Sequence, residues 1–300
     1  MRRFVGMLLV ALVLVASQAR AGELEILPRG APAAMGDQLI FYYDARVDFT
    51  TFITIRNTSG SEVTVSLLFY GPTFSTPFSK AVTLAAGALT IVDVGGLRGT
   101  GLPSQPGVAI ATVVNLSGQP IITRALTGNF TVANLLTGSA FGANAAARSA
   151  FANDGPDPSN GTPIDGTTVR FQPIRPSSAL LAAYYDPASL APVANSGNQL
   201  IFINFEDTYA PTYGASIGST TWNLEATRGN GAGIAETTFT SNGVTVTDLA
   251  SVIGPGVNGA AGSVSFQAET DTPLLTRLVY FTEALGTFGT GYLLPEILEF

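Results

Sequence analysis

The chain has 300 residues, 46% hydrophobic and 12% charged, with a formal net charge of −7, no cysteine and no histidine. That double absence excludes a disulfide framework, a thiolate nucleophile, zinc and iron–sulfur sites with Cys or His ligands, Ser-His-Asp and Cys-His machinery, and a histidine pH switch. Carboxylates, hydroxyls, arginines and one lysine, Lys80, remain for chemistry. Acid–base groups that titrate near neutrality are missing, and the chain is expected not to be an enzyme and to carry no cofactor and no metal.

In chain order, Arg2 and Arg3 precede an almost wholly apolar run, Phe4 to Ala16, and Ala19-Arg20-Ala21 follows. Basic start, apolar run and small-residue exit in that order predict a secretory signal peptide over 1–21, with Gly22 opening the mature chain. The apolar run is shorter than the ~20 residues a spanning helix needs. Losing Arg2, Arg3 and Arg20 leaves 11 basic against 21 acidic residues, a mature net charge of −10. Such a surface repels phosphate backbones, so nucleic acid is not an expected partner. The exported protein is expected in the periplasm, on the cell surface or outside the cell, with no membrane span in the mature chain. Just after the signal, Glu23-Leu24-Glu25-Ile26-Leu27 reads as a strand. Through Leu24 and Ile26 it is a candidate donor to a partner's sheet edge, as well as a candidate first strand of its own domain.

The mature chain then repeats itself. Gly36-Asp37-Gln38-Leu39-Ile40-Phe41 returns as Gly197-Asn198-Gln199-Leu200-Ile201-Phe202, and Thr90-Ile91-Val92-Asp93-Val94 as Thr245-Val246-Thr247-Asp248-Leu249. Pro120-Ile121-Ile122-Thr123-Arg124 returns as Pro273-Leu274-Leu275-Thr276-Arg277. The matches keep one order, which predicts an internal duplication with halves at 22–150 and 166–300. The Gly/Pro/Asn/Asp-rich stretch within 151–165 then reads as a linker.

Within the first half, period-two patterns place strands at 52–56, 63–70, 80–84, 88–94, 108–114 and 120–126. In the second they fall at 199–204, 220–226, 236–240, 244–249, 263–268 and 274–281. Phe52 to Arg56 and Val63 to Tyr70, joined by Asn57-Thr58-Ser59-Gly60, read as a hairpin. Helix is expected only at 143–151 and 178–185. The class is all-β: two tandem antiparallel β-sandwiches.

The run Phe52-Ile53-Thr54-Ile55-Arg56-Asn57-Thr58-Ser59-Gly60-Ser61-Glu62-Val63-Thr64-Val65 resembles the strand–turn–strand pattern of immunoglobulin-like sandwiches in secreted bacterial surface and pilus-chaperone-like proteins. The resemblance implies modules that bind, space or assemble, while leaving the function itself to be argued from a site.

Candidate site residues follow from the repeat. Asp93 and Asp248 fall at matching strand ends, as ligands of a duplicated site or as acceptors in the next turn. Arg124 and Arg277 match likewise, as anion binders or as partners of those carboxylates. Glu206-Asp207 is an adjacent acid pair, and glycosidase chemistry would need two carboxylates about 5 to 10 Å apart in a cleft. Phe41-Tyr42-Tyr43 and Tyr184-Tyr185, with Tyr209 and Tyr213, are candidates to stack on sugars, and Trp222 reads as core. Asn153, Asp154, Asp157 and Asp165 offer oxygen ligands without EF-hand spacing. Leu298 and Phe300 have the look of an outer-membrane barrel's last strand, against Pro295 and Glu296. The expected function is a secreted, non-catalytic structural or protein-interaction module that engages itself or other envelope proteins through strand edges. A glycan-binding sandwich and an outer-membrane barrel are the alternatives.

Overall fold

The computed structural model describes residues 35–136, 140–152, 162–163, 169–171, 179–185, 197–207, 215–257, 261–268 and 274–281. The fold is all-β, and its sheets are antiparallel. Expectations for 1–21, Leu24, Ile26, 153–161, Tyr209, Tyr213, Pro295 and Phe300 lie outside the described residues.

The first half opens with β1 (Gln38–Asp44), β2 (Phe49–Asn57), β3 (Val63–Tyr70), β4 (Phe78–Leu84) and β5 (Leu89–Asp93). A four-residue helix, α1 (Val94–Leu97), precedes β6 (Pro106–Val114), β7 (Leu126–Asn134), β8 (Ala140–Asn144) and β9 (Ala146–Arg148). They form two sheets, ordered β4-β3-β6-β1-β9 and β5-β2-β7-β8. One core lies between them: Leu39, Phe41 and Leu67 meet Ile53, Ile55 and Phe130. The alternation read from the sequence has its physical origin here. On β2, Ile53 and Ile55 are buried while Phe52 and Arg56 are exposed, because successive side chains leave opposite faces of a pleated strand.

The expected hairpin of 52–65 is absent. β2 and β3 lie in different sheets, and residues 58–62 carry the chain from one to the other. Asn57 fixes that crossing. Its Nδ2 donates to the carbonyls of Ser61 (2.7 Å), Leu84 (3.1 Å) and Ala85 (3.0 Å), and its Oδ1 accepts from the Ser59 amide (2.9 Å). One buried amide thus ties the β2–β3 crossing to the β4–β5 crossing.

Three further expectations are corrected. Residues 120–125 do not make a strand; the amides of Thr123 and Arg124 are bound to the Asp37 side chain and that of Ile121 to the Val113 carbonyl, and β7 begins at Leu126. Residues 143–151, alanine-rich and helix-like by propensity, are extended as β8, β9 and the start of β10 (Ala150–Ala152). Small side chains fit beside β1, and pairing along it overrides intrinsic helix preference. Residues 179–185 are β13, also a strand. The stretch expected to be a linker contributes to a three-stranded sheet ordered β10-β12-β11, with β11 at Thr162–Pro163 and β12 at Val169–Phe171.

The second half continues with β14 (Gly197–Asp207), β15 (Ala215–Ile217), β16 (Ser219–Arg228), β17 (Gly233–Asn242) and β18 (Val244–Asp248). Helix α2 (Leu249–Ile253), β19 (Ala261–Ala268) and β20 (Leu274–Phe281) complete it. One sheet runs β13-β19-β16-β17; in the other, β14 pairs with β15, β18 and β20. A second core holds Leu200, Phe202, Trp222, Leu224, Val264 and Phe266. The Trp222 Nε1–H donates to Ser241 Oγ at 3.0 Å, so the buried indole's polar end is satisfied.

Both halves share one strand order: β13-β19-β16-β17 follows β1-β6-β3-β4, and β18-β14-β20 follows β5-β2-β7. Both also place a short helix directly after Asp93 and Asp248. The cross-strand register supplies the residue correspondence. Phe52 lies opposite Asp93 as Gln199 lies opposite Asp248, so Ile53 corresponds to Leu200, Ile55 to Phe202 and Asn57 to Asn204. The amide of Asn57 bonds the Ala88 carbonyl (2.9 Å), and that of Asn204 bonds the Gly243 carbonyl (2.8 Å), each just before the equivalent strand. The sequence match Gly36–Phe41 with Gly197–Phe202 therefore joins β1 to β14, which are not equivalent in strand order. Arg277, paired in register with Ile201, corresponds to Asn129 rather than to Arg124.

Candidate interaction surface

Buried polar groups of the first half hold backbone in place. The Asp37 carboxylate is fully buried. Its Oδ1 accepts from the Thr123 amide (2.5 Å), the Thr123 hydroxyl (3.0 Å) and the Arg124 amide, and its Oδ2 accepts from the Ala150 amide (2.8 Å). These bonds hold Arg124 at φ 47°, a left-handed conformation unusual for a residue with a side chain. Arg148, buried, donates to Gln38 Oε1 (3.1 Å) and stands over the Phe171 ring at 5.5 Å. Arg46 donates to both oxygens of Asp44, at 2.6 Å for Nη2 to Oδ2, and lies 4.4 Å from the centre of the Phe49 ring. The Asp44 carboxylate holds the Arg46 guanidinium above its ordinary pKa. Burial, then the nearby Asp44 charge, pushes the Tyr42 and Tyr43 hydroxyls upward as well.

The sequence-derived site residues separate. Asp93 and Asp248 do occupy equivalent places, each exposed and extended just before a short helix. Asp93 Oδ1 accepts from Thr50 Oγ1 (2.7 Å), which in turn accepts the Gly95 amide (3.0 Å). Arg124 is exposed and enters the structure through its backbone bond to Asp37, not as a partner of Asp93. Arg277 lies on β20, and Glu206 and Asp207 lie on β14; their side chains are outside the described atoms.

A surface that the sequence reading did not single out emerges on the outer face of β5 and β2. Leu89 is 55% exposed, Ile91 60% and Phe52 40%. Thr54, opposite Ile91, and Arg56, opposite Leu89, complete it. Asp93, opposite Phe52, marks the far end. Among the described residues, β5 has one strand neighbour and so ends its sheet. The signal was in the sequence: Leu89, Ile91 and Val92 are apolar at both parities of a five-residue strand, so one face had to carry apolar side chains outward.

The same face of the second half is buried. By the register above, Val244 and Val246 correspond to Leu89 and Ile91, and Ile201 and Ile203 to Thr54 and Arg56. Ile201, Ile203 and Val244 belong to the first half's hydrophobic cluster, with Val246 packed against it. Strand β18 lies against β6, whose residues from Gly107 to Val114 are all buried, and the Val244 amide donates to the Pro72 carbonyl at 3.0 Å. Strand β14 therefore has apolar neighbours on both faces, Leu200 and Phe202 on one and Ile201 and Ile203 on the other.

The chain matches no protein-family model and no curated protein.

Proposed function

We propose that this chain is an exported, non-catalytic structural or protein-interaction module, built as two tandem immunoglobulin-like β-sandwiches from an internal duplication. The repeated strand order and the equivalence of Asn57 with Asn204 support the duplication. The residues before Gly22 support export, by their basic, apolar, small-residue order. The observation that carries the interaction reading is the exposed face of Phe52, Leu89 and Ile91 at the end of a sheet. Adjacent apolar side chains beside a strand with one neighbour among the described residues are what a binding partner covers.

The absence of cysteine makes the test direct. A single Ile91→Cys variant carrying a photo-crosslinker, expressed in the native host, should give a protein adduct on illumination. The exposed Glu225→Cys control on the outer face of β16 should not. Adducts at both sites alike, or at neither, would sink the interaction reading.

A further inference from the structure

The interaction surface has an occupant that the fold itself suggests. Resting on the reading just given, we infer that the β5–β2 outer face pairs with the same face of a second copy of this chain, forming a two-fold dimer. Inside one chain the equivalent face, Ile201, Ile203, Val244 and Val246, already works as a sheet-packing surface. The first half presents its version uncovered by any described residue. It has kept the apolar pair Leu89 and Ile91 but holds Thr54 and Arg56 where the second half holds isoleucines. That is a mixed composition, apolar at Phe52, Ile91 and Leu89 and polar at Thr54, Arg56 and Asp93, which suits a contact that must also tolerate water.

Head-to-tail stacking is the other geometry that two repeats invite, and the far end of the chain argues against it. Inside the chain the mate of this face includes β6, and the counterpart of β6 in the second half, β19, turns Ser263, Ser265 and Gln267 away from its own core residues Val264 and Phe266. That polar strand is no apolar mate for Ile91. The β5–β2 face, in contrast, complements itself. Arg56 and Leu89 form one end, Phe52 and Asp93 the other, with Thr54 and Ile91 between them. A two-fold axis through that middle row, perpendicular to the strands, sets Ile91 against its own copy. It also brings Arg56 of each copy over Phe52 and beside Asp93 of the other. An arginine meets an aromatic ring and a carboxylate twice, once at each end, as an isologous interface requires.

Sedimentation equilibrium of the purified full chain across a wide concentration range tests this. The mass of the unaltered protein should rise from one copy to two and stop there. Ile91→Arg should raise the dissociation constant at least about tenfold by burying charge against charge. Arg56→Glu should also weaken the dimer, by opposing Asp93. Unaltered urea midpoints, compared at a dilution where every variant is monomeric, would show that both variants still fold. A protein monomeric at every concentration overturns the inference, as does growth past two copies. So does a midpoint lowered for Ile91→Arg at that dilution, which would mean that the chain covers this face with its own segment, such as Leu24 to Leu27. A monomer that still crosslinks to a different protein at position 91 would end the self-pairing alone, whereas no protein adduct there would end the interaction reading itself.

Discussion

At the scale of single residues, a few buried polar groups hold backbone outside the sheet ladders, and their loss has a predictable sign. Asp37 accepts four bonds with two oxygens, so Asp37→Asn turns an amide donor toward one set of N–H groups. We expect a loss of about 1–3 kcal/mol in urea unfolding, the range for stranding buried donors. Arg124→Gly at the same loop should be nearly neutral, within about 1 kcal/mol. Relief of the left-handed strain offsets the added freedom of the unfolded chain. If Arg124 served as an anion site, stability would not be the property to report on it. Tyr42 and Tyr43 set the alkaline limit. Their folded-state pKa values are raised, so the folded protein holds protons that the unfolded chain releases from about pH 10 upward. Their contribution is complete below about pH 10 and is lost as the pH rises through the folded values. The part of the tyrosinate absorbance that Tyr42→Phe removes should appear together with the loss of circular dichroism. If that part appears before unfolding, the expectation fails.

At the scale of elements, the strand pattern was legible and the connections were not. Strands β3, β16 and β17 alternate because one face of each meets a core, and that period is written in the residues. The assignment of β2 and β3 to different sheets depends on Asn57 reaching Leu84 and Ala85, some 28 positions along the chain, a contact no local pattern encodes. The run 120–125 looked like a strand because it is apolar and β-branched, yet Asp37 competes for its amides. Repeat matching by identity likewise paired β1 with β14, because both present similar apolar strings to similar cores. Only hydrogen-bond register separates them, and it retains the Asp93–Asp248 match while replacing Arg124–Arg277. Among the candidate site residues, Asp93 was legible as a strand end. Its neighbours on the exposed face were not, since facing is set by which parity the second sheet covers. Gly243 supplies a test at this scale. It sits at φ 54°, and a Cβ there would lie 1.9 Å from the Pro72 carbonyl oxygen. Gly243→Ala should therefore separate β18 from the first half. Faster proteolysis of the second half, with the first half intact, is the expected result; uniform cleavage of both would argue against it.

At the scale of the whole molecule, the two halves are cores joined by an apolar face, and the two roles of that face can be set against each other. Each half has its own hydrophobic cluster, so fragments 22–152 and 166–300 are expected to fold separately, each with an uncovered surface. Mixed, they should reassociate one to one, because Ile201, Ile203 and Val244 regain the neighbours they have in the intact chain. The duplication supplies the variant that discriminates. Ile201→Thr with Ile203→Arg gives the second half the residues that its counterpart shows to water, Thr54 and Arg56. In the isolated 166–300 fragment this pair should raise solubility and leave the unfolding midpoint close to unchanged, since Leu200 and Phe202 still fill the inner core. In the full chain the same pair should cost roughly 3 kcal/mol or more, by placing an unpartnered guanidinium in the packed seam between halves. Light scattering and urea unfolding of the isolated fragment, and urea unfolding of the full chain, measure the two effects. A loss in the full chain alone marks a docking surface, whereas a loss in both would mean that Ile201 and Ile203 belong to the second half's own fold.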